Sequence, residues 1–447
     1  MMIMSLGEFM ERQAERTFLE AWMRPSRFRA SDRQTGHRGK LDAQAVLLLA
    51  VQGLFVTANA LSGTFVNVYL WKMSHEFALI GWFSLCNQAA LGLTFWLAGK
   101  WVKERNKMSC LRVGMLLSAV FYFFVLLLGP NAAHYAQPLG ILQGAAGGLF
   151  WLAYNVLYFE VTEPDNRDRF NGWAGLLGAF AGMFAPWISG LLIVRMADAN
   201  GYTLIFSLSF GVFLIGVVTS LFLKQRRAHG RYVWFHAFRC MRDRGSPWRK
   251  LAPALAMQGV REGVFIFLIG LLVYIATGNE MKLGNYSLIT SAVSLGAFYA
   301  AGRWLKPERR YAAMLCGAFL ITAVIVPFFR VINYVTLLIF GVGVSLFFPL
   351  YIIPITSTVF DYIGRDKESA SQRVEYVVLR EVSLNAGRML GTILFLFMIA
   401  SGGPDARHLN VFLLAIGSAP IFSWLFMRTI LKRYERERFA GRMPGYE

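Results

Sequence analysis

Twelve long apolar stretches constrain this chain more than any other feature of its sequence. About 20 apolar residues in a helix cross the ~30 Å hydrocarbon core of a bilayer. Backbone groups in hydrocarbon must hydrogen-bond within their own segment, so such stretches form helices. The stretches cover residues 44–71, 77–99, 109–129, 137–160, 172–196, 203–223, 251–277, 284–302, 312–330, 334–359, 376–400 and 410–430. We therefore predict an all-α membrane protein with twelve transmembrane helices.

The composition also indicates a membrane protein. Of 447 residues, 56% are hydrophobic and 16% are charged, whereas soluble proteins carry about 25% charged residues. Length alone would suggest about three soluble domains. The apolar stretches overrule that estimate, because a soluble domain could not bury all of them.

Positive charge is concentrated in alternate connections between the stretches. Of the 45 lysines and arginines, 37 lie in the segments 1–40, 100–112, 161–171, 224–250, 303–310, 361–373 and 428–447. Loops with this excess face the cytoplasm, where they are attracted to anionic lipid. The pattern predicts a multi-pass protein of the cell membrane with both termini cytoplasmic. It accounts for the net charge of +19 without a nucleic-acid partner.

The basic segment 225–250 divides the chain into two halves with six stretches each. We predict a cytoplasmic tail over 1–42, a six-helix bundle over 43–224, the linker 225–250, a second six-helix bundle over 251–431 and a cytoplasmic tail over 432–447. The halves share sequence, since GKW at 99–101 corresponds to GRW at 302–304. Duplicated halves of this kind are typical of secondary transporters.

The segment 99–107, GKWVKERNK, resembles the Gly-led basic motif that the major facilitator superfamily carries between its second and third helices. The repeat at 302–306 matches the place where the family echoes this motif. Lys103 stands where the family usually has Asp, and Asn106 where it has a second Gly. The resemblance covers residues 43–430. It implies two sets of six helices, a long central cytoplasmic loop and a transport function.

Charged residues at the predicted cytoplasmic helix ends are candidates for a gate. Ion pairs that form in only one conformation bias a two-state equilibrium. We expect the charges at 100, 103, 104 and 105 to pair with partners near Glu160 and Arg167, whose Glu-x6-Arg spacing resembles that of sugar porters. In the second half we expect the same of Arg303, Lys306, Glu308 and Asp361. The alternative is that these charges only anchor the loops. The candidate gate residues are Gly99, Lys100, Lys103, Glu104, Arg105, Glu160, Arg167, Gly302, Arg303 and Asp361.

Charges inside the apolar stretches are candidates for a transport site, because ionisable residues are costly in a membrane. Arg261 and Glu262 lie about 15 Å into the seventh stretch at ~1.5 Å per residue. In the eleventh stretch Glu381, Asn385 and Arg388 follow Arg380 and share one helical face. The alternative is that these groups form structural Arg–Glu pairs that fix helix packing, or that residues 380–381 lie in a cytoplasmic extension of the helix.

The resemblance places the seventh and eleventh helices at the central cavity, so it implies that these charges meet. We expect Glu262 and Glu381 to carry protons. Burial favours the neutral form of a carboxylate and a neighbouring arginine favours the charged form, so its charge can change with exposure and occupancy. Arg261 and Arg388 would hold an anionic or polar substrate, or lock the carboxylates when the site is empty.

Amides are the polar groups of the first-half stretches. Asn59 and Asn155 are the candidate substrate contacts, and helix–helix hydrogen bonds are the alternative reading. Further amides in these stretches are Asn67, Asn87, Gln88 and Gln143.

Other function classes lack their signatures. The sequence has no G-x-x-x-x-G-K-[ST] loop for an ATP-driven pump, and neither the six histidines nor the four cysteines have metal-ligand spacing. No catalytic residue, metal or cofactor is predicted. Ala185-Pro186 resembles the Gly-Pro element of drug–proton antiporters, with Ala in place of Gly. It favours export.

We therefore expect a monomeric, proton-coupled secondary transporter that exports a small molecule and has the lipid bilayer as its other partner. A lipid flippase or a facilitative uniporter on the same fold is the alternative. A membrane-embedded enzyme is a weaker one, because catalysis needs positioned acids, bases or metal ligands.

Overall fold

The computed structural model describes residues 41–162, 164–196, 199–224, 230–363, 372–402 and 406–439. Within these ranges the regular structure is helical throughout, with fourteen α-helices. Those before the linker are α1 (Ala43–Ser74), α2 (Phe77–Glu104), α3 (Lys107–Leu128), α4 (Ala136–Val161), α5 (Pro164–Arg195) and α6 (Ala199–Leu221). The others are α7 (His236–Arg242), α8 (Trp248–Thr277), α9 (Glu280–Trp304), α10 (Arg310–Ala323), α11 (Tyr334–Ile363), α12 (Arg373–Gly402), α13 (Ala406–Gly417) and α14 (Ala419–Phe439).

Side-chain caps explain where several helices begin. The Asn106 carboxamide oxygen accepts hydrogen bonds from the backbone N–H groups of Met108 and Ser109 at 3.0 and 3.2 Å. Asn279 accepts from the backbone of Lys282 at the start of α9. Such caps satisfy N–H groups that have no partner in the first helical turn. They allow α2 and α3, and likewise α8 and α9, to follow one another through very short turns.

Ten stretches of the described residues are long and apolar enough to cross a membrane. One of them, Lys107–Val161, contains α3, α4 and the 3-10 helix Gly129–Tyr135 between them. Helix α9 is not among the ten, and it carries charged residues near both ends. The prediction of an all-helical, multi-pass membrane chain is confirmed. The number twelve and the division into two six-helix bundles stay predictions.

The helices before the linker pack mainly with one another, and so do those after it. Helix α4 packs on α2 and α3, and α1 on α5 and α6. Helix α8 packs on α12 and α14, and α11 on α9 and α10. Two further contacts join these groups along their edges, α2 with α12 and α5 with α9. Every cross-connection discussed below lies on or near these two edges.

Helical structure is present within two segments that the sequence analysis assigns to the linker and the C-terminal tail. The linker contains the short helix α7, and α14 continues to Phe439, past the predicted boundary at 431. Residues 1–40 and 440–447, which form most of the two predicted tails, lie outside the described residues. We call the side of the molecule with Glu104, Trp248 and Arg373 the linker end, and the side with Ser74, Glu280 and Gly402 the far end.

Candidate functional site

An ion pair between α8 and α12 forms the centre of the site. The Arg388 guanidinium donates to Glu262 Oε2 through Nη2 at 2.8 Å and through Nε at 3.3 Å. Both side chains are 22% exposed, so part of each remains accessible. The predicted meeting of these two charges is thus present in the structure.

Glycines bring these two helices together. A Cβ at Gly263 would collide with the backbone of Arg388, and a Cβ at Gly387 would collide with the carbonyl group of Ala256. Because neither glycine has a side chain, the two backbones touch. That close crossing places Glu262 directly beside Arg388.

Amide groups extend the pair into a network. Gln258 donates to Glu262 Oε1 at 2.7 Å, one helical turn before it on α8. Asn385 accepts a long bond of 3.4 Å from Arg388 and donates to the carbonyl oxygen of Glu381 at 2.8 Å. Both oxygens of the Glu262 carboxylate therefore have donors, as a charged carboxylate in an apolar setting requires.

Helix α2 enters the network through Gln88. Its amide donates to the carbonyl oxygen of Gly263 at 3.0 Å, and its oxygen accepts from Thr392 at 2.9 Å. Gln88 was among the intramembrane amides of the sequence but was not chosen as a site residue. Its signal was a polar side chain in an apolar stretch, which it shares with several amides that have other partners.

The remaining predicted charges form no ion pair with Glu262 or Arg388 among the described residues. Arg261 is buried, with its guanidinium 4.6 Å from the Phe265 ring centroid, and its Nε has no hydrogen-bond partner in the described part of the chain. Glu381 forms its ion pair with the adjacent Arg380. Glu381 is thus paired with Arg380, and Glu262 is paired with Arg388.

The two predicted asparagines are not joined to the pair by any hydrogen bond among the described residues. Asn59 donates to the carbonyl oxygen of Phe55 in its own helix at 2.9 Å. Asn155 is half-buried. Next to it, Tyr154 donates to Gln52 of α1 at 2.6 Å. A role in substrate contact stays a prediction for both asparagines.

At the linker end, a buried ion pair closes the α2–α12 edge. Lys103 of α2 pairs with Glu375 of α12, and their exposures are 7% and 2%. The same carboxylate oxygen accepts from the backbone N–H of Val233 at 3.1 Å. Glu104 accepts from the backbone N–H of Tyr232 at 2.8 Å. Two acidic side chains thus hold the linker backbone against the ends of these helices.

The segment 231–236, which we call the strap, lies across the end of α2. Tyr232 donates to the carbonyl oxygen of Trp96 at 3.1 Å, and the Trp96 indole donates to the carbonyl oxygen of Trp234 at 3.1 Å. The Lys100 ammonium lies 5.8 Å from the Trp234 ring centroid. A Cβ at Gly99 would come within 2.6 Å of the Tyr232 ring. The glycine of the motif therefore makes room for the strap.

A model of the Major Facilitator Superfamily matches residues 52–367. The chain belongs to the major facilitator superfamily. It is similar to "Uncharacterized protein YqgE" of Bacillus subtilis, with 40% identity over 378 residues that cover 84% of this chain and 88% of that protein. It is also similar to "Uncharacterized protein in sodM 3'region" of Geobacillus stearothermophilus, with 38% identity over 200 residues, 45% of this chain and 94% of that protein. Membership makes the chain a transporter of this superfamily.

The superfamily motif has a changed charge here, and its contacts follow that change. Lys103, in the position where the superfamily usually has Asp, pairs with Glu375 on α12 rather than near Glu160, where we expected its partner. Glu160 pairs with Lys107 at the start of α3. Asp361 pairs with Arg310 at 2.7 Å. These last two pairs each join helices on one side of the linker, because their basic partners begin neighbouring helices.

The other gate candidates make fewer contacts. The Arg105 and Arg303 side chains are exposed, and Gly302 lines a cavity between α5 and α9. The side chain of Arg167 lies outside the described residues. The sequence expectation that the 99–107 motif forms contacts at this end therefore rests on Gly99, Lys100, Lys103 and Glu104.

A second cross-connection at the far end of this superfamily member was not anticipated from the sequence. Lys72 at the end of α1 pairs with Glu280 at the start of α9 at 3.0 Å, and Glu280 is buried. Tyr202 of α6 donates to the same carboxylate oxygen at 3.0 Å. Lys72 and Glu280 lie between predicted apolar stretches, in segments that the sequence analysis treated only as loops. Ion pairs thus connect the helices before the linker to those after it at the linker end and at the far end.

Proposed function

We propose that this superfamily member is a proton-coupled secondary active transporter that moves a small molecule across the cell membrane by alternating access. The observation that carries the proposal is the partly exposed Glu262–Arg388 ion pair among apolar helices. An intramembrane ion pair is costly and marks a substrate or ion pathway. We further propose that the protein acts as a monomer.

We propose twelve crossings of the membrane. The ten apolar stretches become twelve when α3 and α4 are counted separately and α9 is added. The linker end is then cytoplasmic, since the basic linker lies there, and both tails are on the same side. The two groups of six helices move against each other about the site, as in other transporters with duplicated halves.

Glu262 is the proposed coupling residue. A proton on its carboxylate removes the charge that holds Arg388, and a substrate group that donates hydrogen bonds to the same oxygens competes with that proton. Competition of this kind couples proton entry to substrate exit, which agrees with export. Arg388 and Arg261 supply positive charge for an anionic or polar part of the substrate, and Glu381 with Arg380 is a second proton-accepting pair. Asn59 and Asn155 are proposed contacts from the first half.

The two cross-connections are the proposed gates. Lys103, Glu375 and the strap close the cytoplasmic end, and Lys72 with Glu280 closes the outer end. Each set of contacts exists only while its own end is shut, so breaking one set favours the conformation that is open there.

The test is proton flux in proteoliposomes that contain a pH-sensitive dye. Pools of drugs, sugars, amino acids and organic acids are added to wild type, Glu262→Gln and Glu381→Gln. We expect a pool-dependent proton signal that Glu262→Gln lowers by at least about tenfold, or about 1.4 kcal/mol. The Arg388→Lys variant, which keeps the positive charge, should retain part of the signal.

Two results would contradict the coupling role. A signal that is unchanged in Glu262→Gln and lost in Glu381→Gln would transfer that role to Glu381. Substrate uptake without any proton signal would make the protein a facilitative uniporter. Reporter fusions at residues 134 and 235 test the orientation, with 235 expected inside and 134 outside.

A further inference from the structure

The two edges at which the halves meet differ in how far they are closed. Along the α2–α12 edge, a Cβ at Gly81 would come within 2.6 Å of Leu396 near the far end. At mid-height, a Cβ at Gly92 would lie 3.1 Å from Asn385. The Lys103–Glu375 pair closes the linker end. This edge is therefore packed along its whole length.

The α5–α9 edge is closed only toward the far end. There, a Cβ at Gly190 would lie 2.5 Å from the carbonyl oxygen of Glu280, and one at Gly284 would lie 3.0 Å from that of Pro186. Further along, Ser291 donates to the carbonyl oxygen of Gly182 at 3.1 Å. Beyond that bond the helices separate.

A gap opens from this point to the linker end. A Cβ at Gly175, Gly178 or Gly302 would meet no other heavy atom within 4 Å. The space between the helices is a cavity of about 560 Å³, within the range of about 300–1,000 Å³ that is usual for ligand sites. Its lining is mostly small or apolar and includes Leu176 and Phe298. We call this cavity the α5–α9 gap.

The position of the gap in the membrane indicates what can occupy it. Residues Arg169–Arg195 of α5 are long and apolar enough to cross a membrane, and in the proposed topology the outer side of the gap faces hydrocarbon. An apolar cavity at that depth favours an acyl chain over a hydrated solute, because burying apolar surface is favourable and burying unpaired polar groups is costly. The gap is therefore a side opening toward the lipid.

Charges at the two ends of such a route complement an anionic headgroup. The exposed side chains of Arg303 and Lys306 lie where the gap meets the linker end. Trp304, beside them, is 71% exposed, and tryptophan is enriched at membrane interfaces. In the membrane interior, the described charges are three arginines and two glutamates. Among these five charges, Arg261 forms no ion pair. Its neighbour Glu262 is paired with Arg388.

We propose that the transported substrate is an anionic, acyl-chain-bearing amphiphile that enters sideways from the cytoplasmic leaflet. Its chain lies in the α5–α9 gap, and its headgroup reaches the Glu262–Arg388 pair, where hydroxyl groups meet the carboxylate and the anion meets arginine. This inference rests on the proposed function and names its substrate class. It also assigns the open glycines of α5 a role as the wall of the entry.

The test measures movement of NBD-labelled phosphatidylglycerol between leaflets in proteoliposomes, by dithionite quenching. The variant is Gly178→Phe, which places a ring in the gap at a position where a Cβ would meet no other heavy atom within 4 Å. The matched control is Gly211→Phe, on α6, where a Cβ is equally free of neighbours. We expect protein-dependent movement of the lipid that Gly178→Phe lowers at least tenfold and Gly211→Phe leaves unchanged, with less movement of NBD-phosphatidylcholine.

The outcomes separate this inference from the proposed function. Equal lipid movement in Gly178→Phe and wild type would overturn the inference. Lipid that binds but does not cross would also overturn the inference. A water-soluble pool that drives Glu262-dependent proton flux equally in wild type and Gly178→Phe would overturn it too, but the proposed function would then stand. Lipid movement that depends on Gly178 but not on Glu262 would support the inference and overturn the coupling role.

Discussion

Lys103 and Glu375 form an ion pair that is almost completely removed from solvent. Breaking a buried pair by changing one partner typically costs about 3–5 kcal/mol, because the other charge is left without a counter-charge. We expect Lys103→Glu and Glu375→Lys each to lower the thermal unfolding midpoint in detergent, and the double reversal to recover part of the loss. Recovery should be partial, since the backbone of Val233 loses its acceptor. A double variant as unstable as the two losses added together would contradict this.

Gly99 and Gly302 occupy equivalent places in the repeated motif but have different surroundings. A Cβ at Gly99 would meet the Tyr232 ring at 2.6 Å, whereas one at Gly302 would meet nothing within 4 Å. We expect Gly99→Ala to displace the strap and to increase trypsin cleavage at the exposed Arg231. Gly302→Ala should leave cleavage unchanged, because added bulk there has free space. Equal effects of the two substitutions would show that the strap does not depend on the glycine.

At the scale of elements, the short linker helix α7 carries a buried histidine. The His236 ring packs edge-on against Tyr376 of α12, with ring centroids 4.7 Å apart. Burial lowers the pKa of His236 from 6.5 and outweighs the attraction of Glu375, while Arg239 and Lys103 add to the lowering. The neutral ring is therefore the form that docks. Docking is most stable above about pH 6.5, and stability is lost as the pH falls toward the lowered pKa.

This sign gives a prediction for the linker. We expect hydrogen exchange of residues 231–242, corrected for its intrinsic pH dependence, to be faster at pH 5.5 than at pH 7.5 in wild type. The His236→Gln variant, which has no titrating ring, should show no such difference. An equal pH response in the variant would assign the effect to another group.

The helices and the central ion pair could be predicted from the sequence, but several contacts between distant elements could not. Apolar length predicts a helix directly, and a charge inside such a helix needs a partner, so Glu262 and Arg388 were identifiable. Lys72 and Glu280 lie at helix ends, where a charge is ordinary, and nothing local shows that they meet across 208 residues. The strap was equally hidden, because the aromatic residues of 231–236 lie between basic residues in the linker and no local pattern shows that they pack against the end of α2.

At the scale of the whole molecule, both ends are closed but the two edges differ in how closely their helices pack. Ion pairs connect the halves at both ends, and α2 packs on α12 throughout. In the described part of the chain, the α5–α9 edge is closed toward the far end and holds the cavity toward the linker end. A rigid rocking motion of two halves would open both edges of one end together. The gap is present while both ends are closed, so it agrees with an opening toward the side in addition to that motion, as the proposed lipid entry requires.

Access to the interior tests the two gates together. Ile266 is 74% exposed and lies one turn after Glu262 on α8, on the face where Gly270 approaches Thr64 of α1. In a background without native cysteines, Ile266→Cys would report access to the space between the halves. A gate contact of about 1 kcal/mol shifts a two-state population about fivefold.

We therefore expect Lys103→Ala to raise labelling of the introduced cysteine by an impermeant maleimide from the linker side about fivefold. Lys72→Ala should raise it to a similar degree from the far side, because it breaks the other gate. A cysteine in place of Phe397, which is 71% exposed on α12, is the matched control, and its labelling should not respond to either change. If both gate variants raised labelling from the same side, the two ion pairs would not act on opposite conformations, and alternating access through them would be wrong.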